Sequence, residues 1–160
     1  MLGAFAVGKT SLVERFVKSM FSERYLTTVG VKIDKKVLAV GGLEVSLVIW
    51  DLAGEDQFQR VRTSYLRGAA GYLLVVDGTR RSTLEEAVRI RERVEREHGA
   101  LPFVAVLNTA DLVADWGLDG QEGVDFPGRG WTTVRTSAKT GEGVERAFTE
   151  LAAMVAGSSA

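Results

Sequence analysis

The 160-residue chain contains no cysteine and only two prolines. Without cysteine there is no disulfide framework, no thiolate zinc site, and no thiol to carry a prenyl or palmitoyl group, so no lipid anchor is expected. An excess of charge is missing too, because 20 Lys and Arg stand against 21 Asp and Glu, a net charge of -1. So neutral a chain has no field to draw it onto DNA, RNA or anionic lipid, which excludes nucleic acid as an expected partner. No apolar run approaches the ~20 residues that cross a bilayer, and Met1 opens no signal-peptide pattern. These absences lead to the expectation of a cytoplasmic protein, with any membrane recruitment left to a protein partner. The length suits one compact domain over residues 1–160. Hydrophobic residues at 46% and charged residues at 26% argue against extended disorder.

What the chain does have is a regular alternation. Val45 to Trp50, Tyr72 to Val76 and Phe103 to Leu107 have the length and β-branched content of buried strands. Longer stretches with helical spacing lie between and beside them. One places Leu12, Val13, Phe16, Val17 and Met20 on a single face; another runs from Thr83 to His98 with Leu84, Ala87, Val88 and Val94 inward. The second opens on a capping box, Ser82 with Glu85, and ends at Gly99. A third puts Val144, Ala147, Phe148, Leu151 and Val155 on one stripe. Buried strands alternating with amphipathic helices predict an α/β fold with a mostly parallel sheet. Ligands then bind at the carboxyl ends of strands. Asp115 to Gly130 sits where another helix is expected, but Gly117, Gly120, Gly123, Gly128, Gly130 and Pro127 predict a loop.

Gly3-Ala4-Phe5-Ala6-Val7-Gly8-Lys9-Thr10 satisfies G-x-x-x-x-G-K-[ST] and runs into the helix of Leu12 and Phe16. In such a loop the backbone N–H groups of Ala6, Val7, Gly8 and Ser11 are candidates to face phosphate oxygens. Lys9 neutralises the β- and γ-phosphates, and the Thr10 hydroxyl ligates Mg²⁺. The helix dipole favours the same anion. By chance the pattern would arise in about one in a hundred chains of this composition. The loop is therefore read as a nucleotide site of the P-loop NTPase kind.

Three weaker signals follow in order, each after a strand. Asp51 ends Val45 to Trp50 and opens Asp51-Leu52-Ala53-Gly54; it suits a phosphate-bound Mg²⁺, and the Gly54 N–H suits a γ-phosphate. Alone, an Asp there is as readily a turn former. Asn108-Thr109-Ala110-Asp111 follows Phe103 to Leu107. Asp111 can accept from both guanine N1–H and N2–H₂, a two-point bond that adenine does not offer, while Asn108 braces the loops. Thr136-Ser137-Ala138-Lys139 closes another strand, and the Ala138 N–H can donate to guanine O6. Singly these are ordinary turn sequences; together and in this order they select guanine.

The whole chain resembles the Ras-like small GTPases, most closely the Rab-like branch. Tyr25-Leu26-Thr27-Thr28-Val29-Gly30 is similar to that branch's Y-x-x-T-x-G within switch I, here Phe21 to Val31. Thr28 is thereby implied as a second hydroxyl ligand of Mg²⁺ and a γ-phosphate contact. Ala53 to Leu66 resembles switch II. Ser137 to Gly143 resembles the guanine-contact loop, including Ser137, Ala138 and Lys139. The resemblance implies a six-stranded, mainly parallel sheet with helices on both faces, five in all. It also implies a GTP/GDP switch that hydrolyses GTP, with effectors and activating or exchange partners meeting Tyr25 to Val31 and Gly54 to Leu66; the oligomeric state stays open, with a monomer favoured. The missing cysteine suggests a prokaryotic rather than a prenylated eukaryotic member.

Departures from the pattern sharpen these expectations. The usual Gln after D-x-x-G is Glu55, a carboxylate that cannot donate to the attacking water, so unaided hydrolysis by Lys9, Gly54 and Glu55 should be slow. The lysine of N-K-x-D is Thr109; losing a stem that covers one face of the base costs on the order of 1 kcal/mol. Only Met1 and Leu2 precede the loop, where a strand belongs between Val45 to Trp50 and Tyr72 to Val76. The expectation is a truncated first strand, with Met1 lying inside it. A different class of function fits Glu55 and Thr109 as well: a guanine-nucleotide scaffold that does not hydrolyse. An ATP-using kinase or ATPase is the third reading, opposed by Asn108, Asp111 and Ala138.

Overall fold

Near-continuous Val, Leu and Ile runs build the centre of the molecule. The computed structural model describes residues 1–22, 28–54, 63–115 and 130–157. In chain order the elements are β1 (Leu2–Gly3), α1 (Lys9–Lys18), β2 (Val31–Val40), β3 (Leu43–Leu52), β4 (Tyr72–Asp77), α2 (Arg81–His98), β5 (Phe103–Asn108), β6 (Thr133–Arg135) and α3 (Val144–Gly157). Short 3₁₀ turns cover Thr63–Leu66 and Ala110–Asp115.

Four strands form a parallel sheet in the order β1-β4-β5-β6. Strand β4 is buried at every position, so its alternate side chains must feed two cores. Leu73 and Val75 join Val104 and Val106 beneath Leu12, Val13 and Phe16 of α1 and Val144, Ala147 and Phe148 of α3. Leu74 and Val76 join Ala105 and Leu107 beneath Ala87, Ile90 and Val94 of α2. Helices thus cover both faces, as expected of the fold class. Among the described residues there are three α-helices rather than five.

Several expectations need correction. The sheet is not a single one of six strands, because β2 and β3 form a separate antiparallel pair. The cause is the first strand: β1 spans two residues, pairing Leu2 with Leu74 and Gly3 with Val75. On the other side, the Met1 N–H group bonds Trp50 O at 2.8 Å. The strand therefore does lie between β3 and β4, but beyond its amino end the two diverge around a cleft of about 460 Å³ lined by Val45–Trp50 and Gly71–Leu73. Strand β3 is also not fully buried, since Val48 and Trp50 are exposed. Strand β2 escaped the sequence reading, although Val40-Gly41-Gly42-Leu43 is a two-residue hairpin signal. Both glycines have positive φ, 57° and 82°, as such a turn requires.

Helix α1 stops at Lys18, leaving Met20 exposed. Helix α2 begins at Arg81 without a side-chain cap, so Ser82 and Glu85 do not form the capping box. Instead the Thr83 hydroxyl donates to Arg80 O at 2.7 Å and accepts from the Asp77 N–H at 3.0 Å. Gly99 does end α2, its N–H bonding Glu95 O at 2.9 Å. Most of Asp115 to Gly130 lies outside the described residues.

Candidate functional site: a nucleotide pocket at the carboxyl ends of the strands

The glycine-rich loop runs from the end of β1 into α1, so its backbone faces the carboxyl edge of the sheet. Ala6 (φ 58°) and Gly8 (φ 92°) both adopt left-handed conformations, and these let the loop wrap on itself. Gly8 has no room for a side chain, because a Cβ there would collide with the Asn108 amide. At Gly54 a Cβ would stand 2.6 Å from Phe5 Cα and 2.9 Å from Lys9 Nζ. The end of β3 thus closes directly on the loop. Lys9 is buried, its Nζ donating to Ala4 O at 3.0 Å and Gly3 O at 3.4 Å. Ala6, Val7, Gly8 and Ser11 follow the loop into the first turn of α1.

Beside the loop, two hydroxyls meet one carboxylate. Thr10 Oγ1 donates to Asp51 Oδ2 at 2.6 Å and lies 2.5 Å from Thr28 Oγ1, which is 3.5 Å from the same carboxylate oxygen. Asp51 is fully buried, and its other oxygen, Oδ1, has no hydrogen-bond partner among the described residues. A buried carboxylate oxygen with nothing to accept from is costly unless a cation completes it. The three residues come from α1, the segment before β2, and β3, so only the fold unites them.

The third wall comes from the ends of β5 and β6. Asn108 Nδ2 donates to Val7 O at 3.0 Å, while its Oδ1 accepts from the Thr136 hydroxyl at 3.2 Å. This one buried amide ties the phosphate loop to both base loops. The Ser137 hydroxyl donates to Asp111 Oδ1 at 2.6 Å and accepts from the Thr140 N–H at 3.1 Å. Asp111 is therefore aimed by the neighbouring loop yet exposed at the rim. Ala138 is buried and Lys139 exposed.

Residues 1–156 match the Ras family model. Rab11D, a Ras-related protein of Lotus japonicus, is 36% identical over 154 residues, covering 94% of this chain and 70% of that protein. The chain belongs to the Ras family. It is a Ras-like, Rab-like small GTPase: a GTP-binding switch that hydrolyses GTP to GDP and phosphate. The expectation of a prokaryotic source gains no support here, the relative being a plant protein.

Two arginines of this GTPase went unread in the sequence. Arg15 on α1 donates through Nε to Ala138 O at 2.7 Å, and its second guanidinium nitrogen bonds Lys139 O. Arg80 bonds the carbonyls of Phe5 and Ala6 at 3.0 and 2.7 Å, and Asp77 Oδ2 at 2.9 Å. Asp77 also accepts at Oδ1 from the Thr79 N–H and hydroxyl and from the Thr109 hydroxyl at 2.9 Å. Burial opposes the Asp77 charge, but the bonds from Thr79, Arg80 and Thr109 outweigh it and hold the carboxyl below its ordinary pKa. In sequence both arginines look like solvated helix charges; only Asp77, ending an apolar run, offered a hint. Glu55 lies outside the described residues, as do parts of the Tyr25 to Val31 and Gly54 to Leu66 segments.

Proposed function

We propose that this GTPase holds GTP or GDP across the three loops, with the roles divided by chemistry. The observation that supports the reading is the Asn108 amide joining Val7 and Thr136, which links the glycine-rich loop to the segments that carry Asp111 and Ala138. Asp111 reads guanine N1–H and N2–H₂, the Ala138 N–H donates to O6, and Ser137 holds Asp111 in line. Lys9 Nζ, carried on the loop itself, serves the β- and γ-phosphates, and the Gly54 N–H serves the γ-phosphate. The orphaned Asp51 Oδ1 beside two converging hydroxyls fits a divalent cation, which Thr10, Thr28 and Asp51 would hold. When bound, Mg²⁺ neutralises charge accumulating on the phosphates.

Labelled GDP and ADP titrations test the base pocket, with strong preference for GDP expected; equal affinities would refute the assignment of Asp111 and Ala138. Asp111→Asn turns one acceptor oxygen into a donor, so preference should move toward xanthine nucleotides. Chelation should speed GDP release markedly, and an unchanged release rate would separate Thr10, Thr28 and Asp51 from any metal. Glu55 offers no N–H to the attacking water, and an ordinary carboxylate pKa near ~4 makes it a feeble base. Single-turnover hydrolysis should therefore be faster in Glu55→Gln. A slower variant would make Glu55 a working catalytic group.

The partner surface follows from the exposed face of the hairpin. Ile33 sits opposite Trp50 in the register, Trp50 packs 6.2 Å from Tyr65, and Val37 and Val48 continue the stripe. So much exposed apolar surface marks a protein contact. It adjoins Val31 and Tyr65, described residues of the two segments expected to respond to the nucleotide, so effectors are proposed to dock there.

A further inference from the structure

Arg80 is 74 residues from Ala6 in sequence, yet its guanidinium spans two loop carbonyls and a buried carboxylate. A trans peptide unit points its C=O and N–H in opposite directions. Pinning Phe5 O and Ala6 O outward therefore turns the Ala6 and Val7 N–H groups to the opposite side, the side a phosphate occupies in a loop of this pattern. Ala6 needs such a restraint, since alanine enters the left-handed region only at a cost. The far end of the strut is anchored as well. Arg80 Nε holds Asp77 Oδ2, and Asp77 Oδ1 holds the Thr109 hydroxyl. Thr109 is itself left-handed at φ 69°, an outlier for a β-branched residue. Two strained loops are thus tied to one carboxylate at the end of β4.

We propose that Arg80 is a positioning residue for the nucleotide: it locks the phosphate loop in its anion-binding shape and couples it to the base loop through Asp77 and Thr109. The family pattern's lysine is absent at position 109, and Arg80 supplies a cation at this junction instead. The inference rests on the small-GTPase reading of the pocket and adds a residue to it.

The test is the release rate of fluorescent GDP in Mg²⁺ from the parent, R80A, R80K, T109V and R80A/T109V. Melting of each nucleotide-free protein is measured in parallel. R80A should release GDP on the order of tenfold faster, because charge-assisted bonds to two carbonyls are lost. R80K should fall between, since one ammonium cannot span three acceptors. T109V should release severalfold faster, and the double variant no faster than R80A, as expected for groups acting through one carboxylate. The nucleotide-free melts of R80A and R80K should stay near that of the parent, because this half-exposed side chain fills no core. Parent-like release from R80A, or strictly additive effects of the two substitutions, would overturn the proposal. So would a release rate that rises only as the nucleotide-free melt falls, which is the mark of a merely structural arginine. A parent that cannot retain GDP would instead refute the pocket itself.

Discussion

The strands β4, β5 and β6 and the β2–β3 hairpin are made of similar residues but are stabilised differently. In the first group each strand has a partner and helices cover both faces, so Leu74, Val75, Val76 and Val106 are completely buried. The hairpin has the longer ladder, ten registered pairs, yet one of its faces carries the exposed Ile33, Val37, Val48 and Trp50, and a Met1 bond to Trp50 O joins its backbone to the parallel sheet. Pairing alone does not make a core strand. Burial on two faces does, and the hairpin leaves its second face exposed.

The largest test of that contrast is truncation at matched apolar positions. Leu74→Ala should cost about 2–5 kcal/mol, the usual range for a fully buried leucine, whereas Val48→Ala on the open face should stay within about 0.5 kcal/mol. Urea denaturation measures both, and equal losses would erase the distinction. Next in size is closing the gap. An amino-terminal extension of ~5–6 Val, Ile or Leu residues should enter the cleft, pair with both β3 and β4, and raise Tm by several degrees. No gain would mean that the cleft between Val45–Trp50 and Gly71–Leu73 does not accept a strand.

A smaller effect comes from the same junction. Burial, opposed by attraction to Asp51 and helped by repulsion from Lys9, lowers the Met1 ammonium from 8.0 to about 5. Between those values the unfolded chain binds a proton that the folded chain does not, so stability should rise from pH 5 to pH 8. Acetylating the amino group should flatten that rise in thermal melts; an unchanged slope would assign it elsewhere. The smallest expected change in stability is Trp50→Ala, on the exposed side of β3, which should barely move the melt while abolishing effector binding. Retained binding would remove the hairpin face as the partner surface.

How much could be read beforehand depended on whether the chemistry was local. The loop from Gly3 to Thr10, the buried runs of β4 and β5, and the positions of Asn108, Asp111 and Ala138 after strands were all legible because the determining groups are neighbours in the chain or end a recognisable strand; the Ser137 to Asp111 bond was not. The run from Val45 to Trp50 misled, since its exposed face carries the same apolar residue types as a core face. Arg15 and Arg80 were invisible for a different reason. An arginine near a helix start carries no sign of the carbonyls it will meet across the fold.

The sequence by itself determined the layered α/β plan, the phosphate loop and the preference for guanine, because spacing and consecutive backbone groups carry them. The tertiary structure decided three further things. It split the strands into a four-stranded sheet and a hairpin, since a two-residue β1 cannot bridge ladders on both sides. It gathered Thr10, Thr28 and Asp51 from separate segments around one buried carboxylate. And it strung Arg80, Asp77 and Thr109 between two strained loops, a contact set by how β4 and β5 lie side by side. Hydrogen bonds between distant residues exist only once packing has brought their donors and acceptors together.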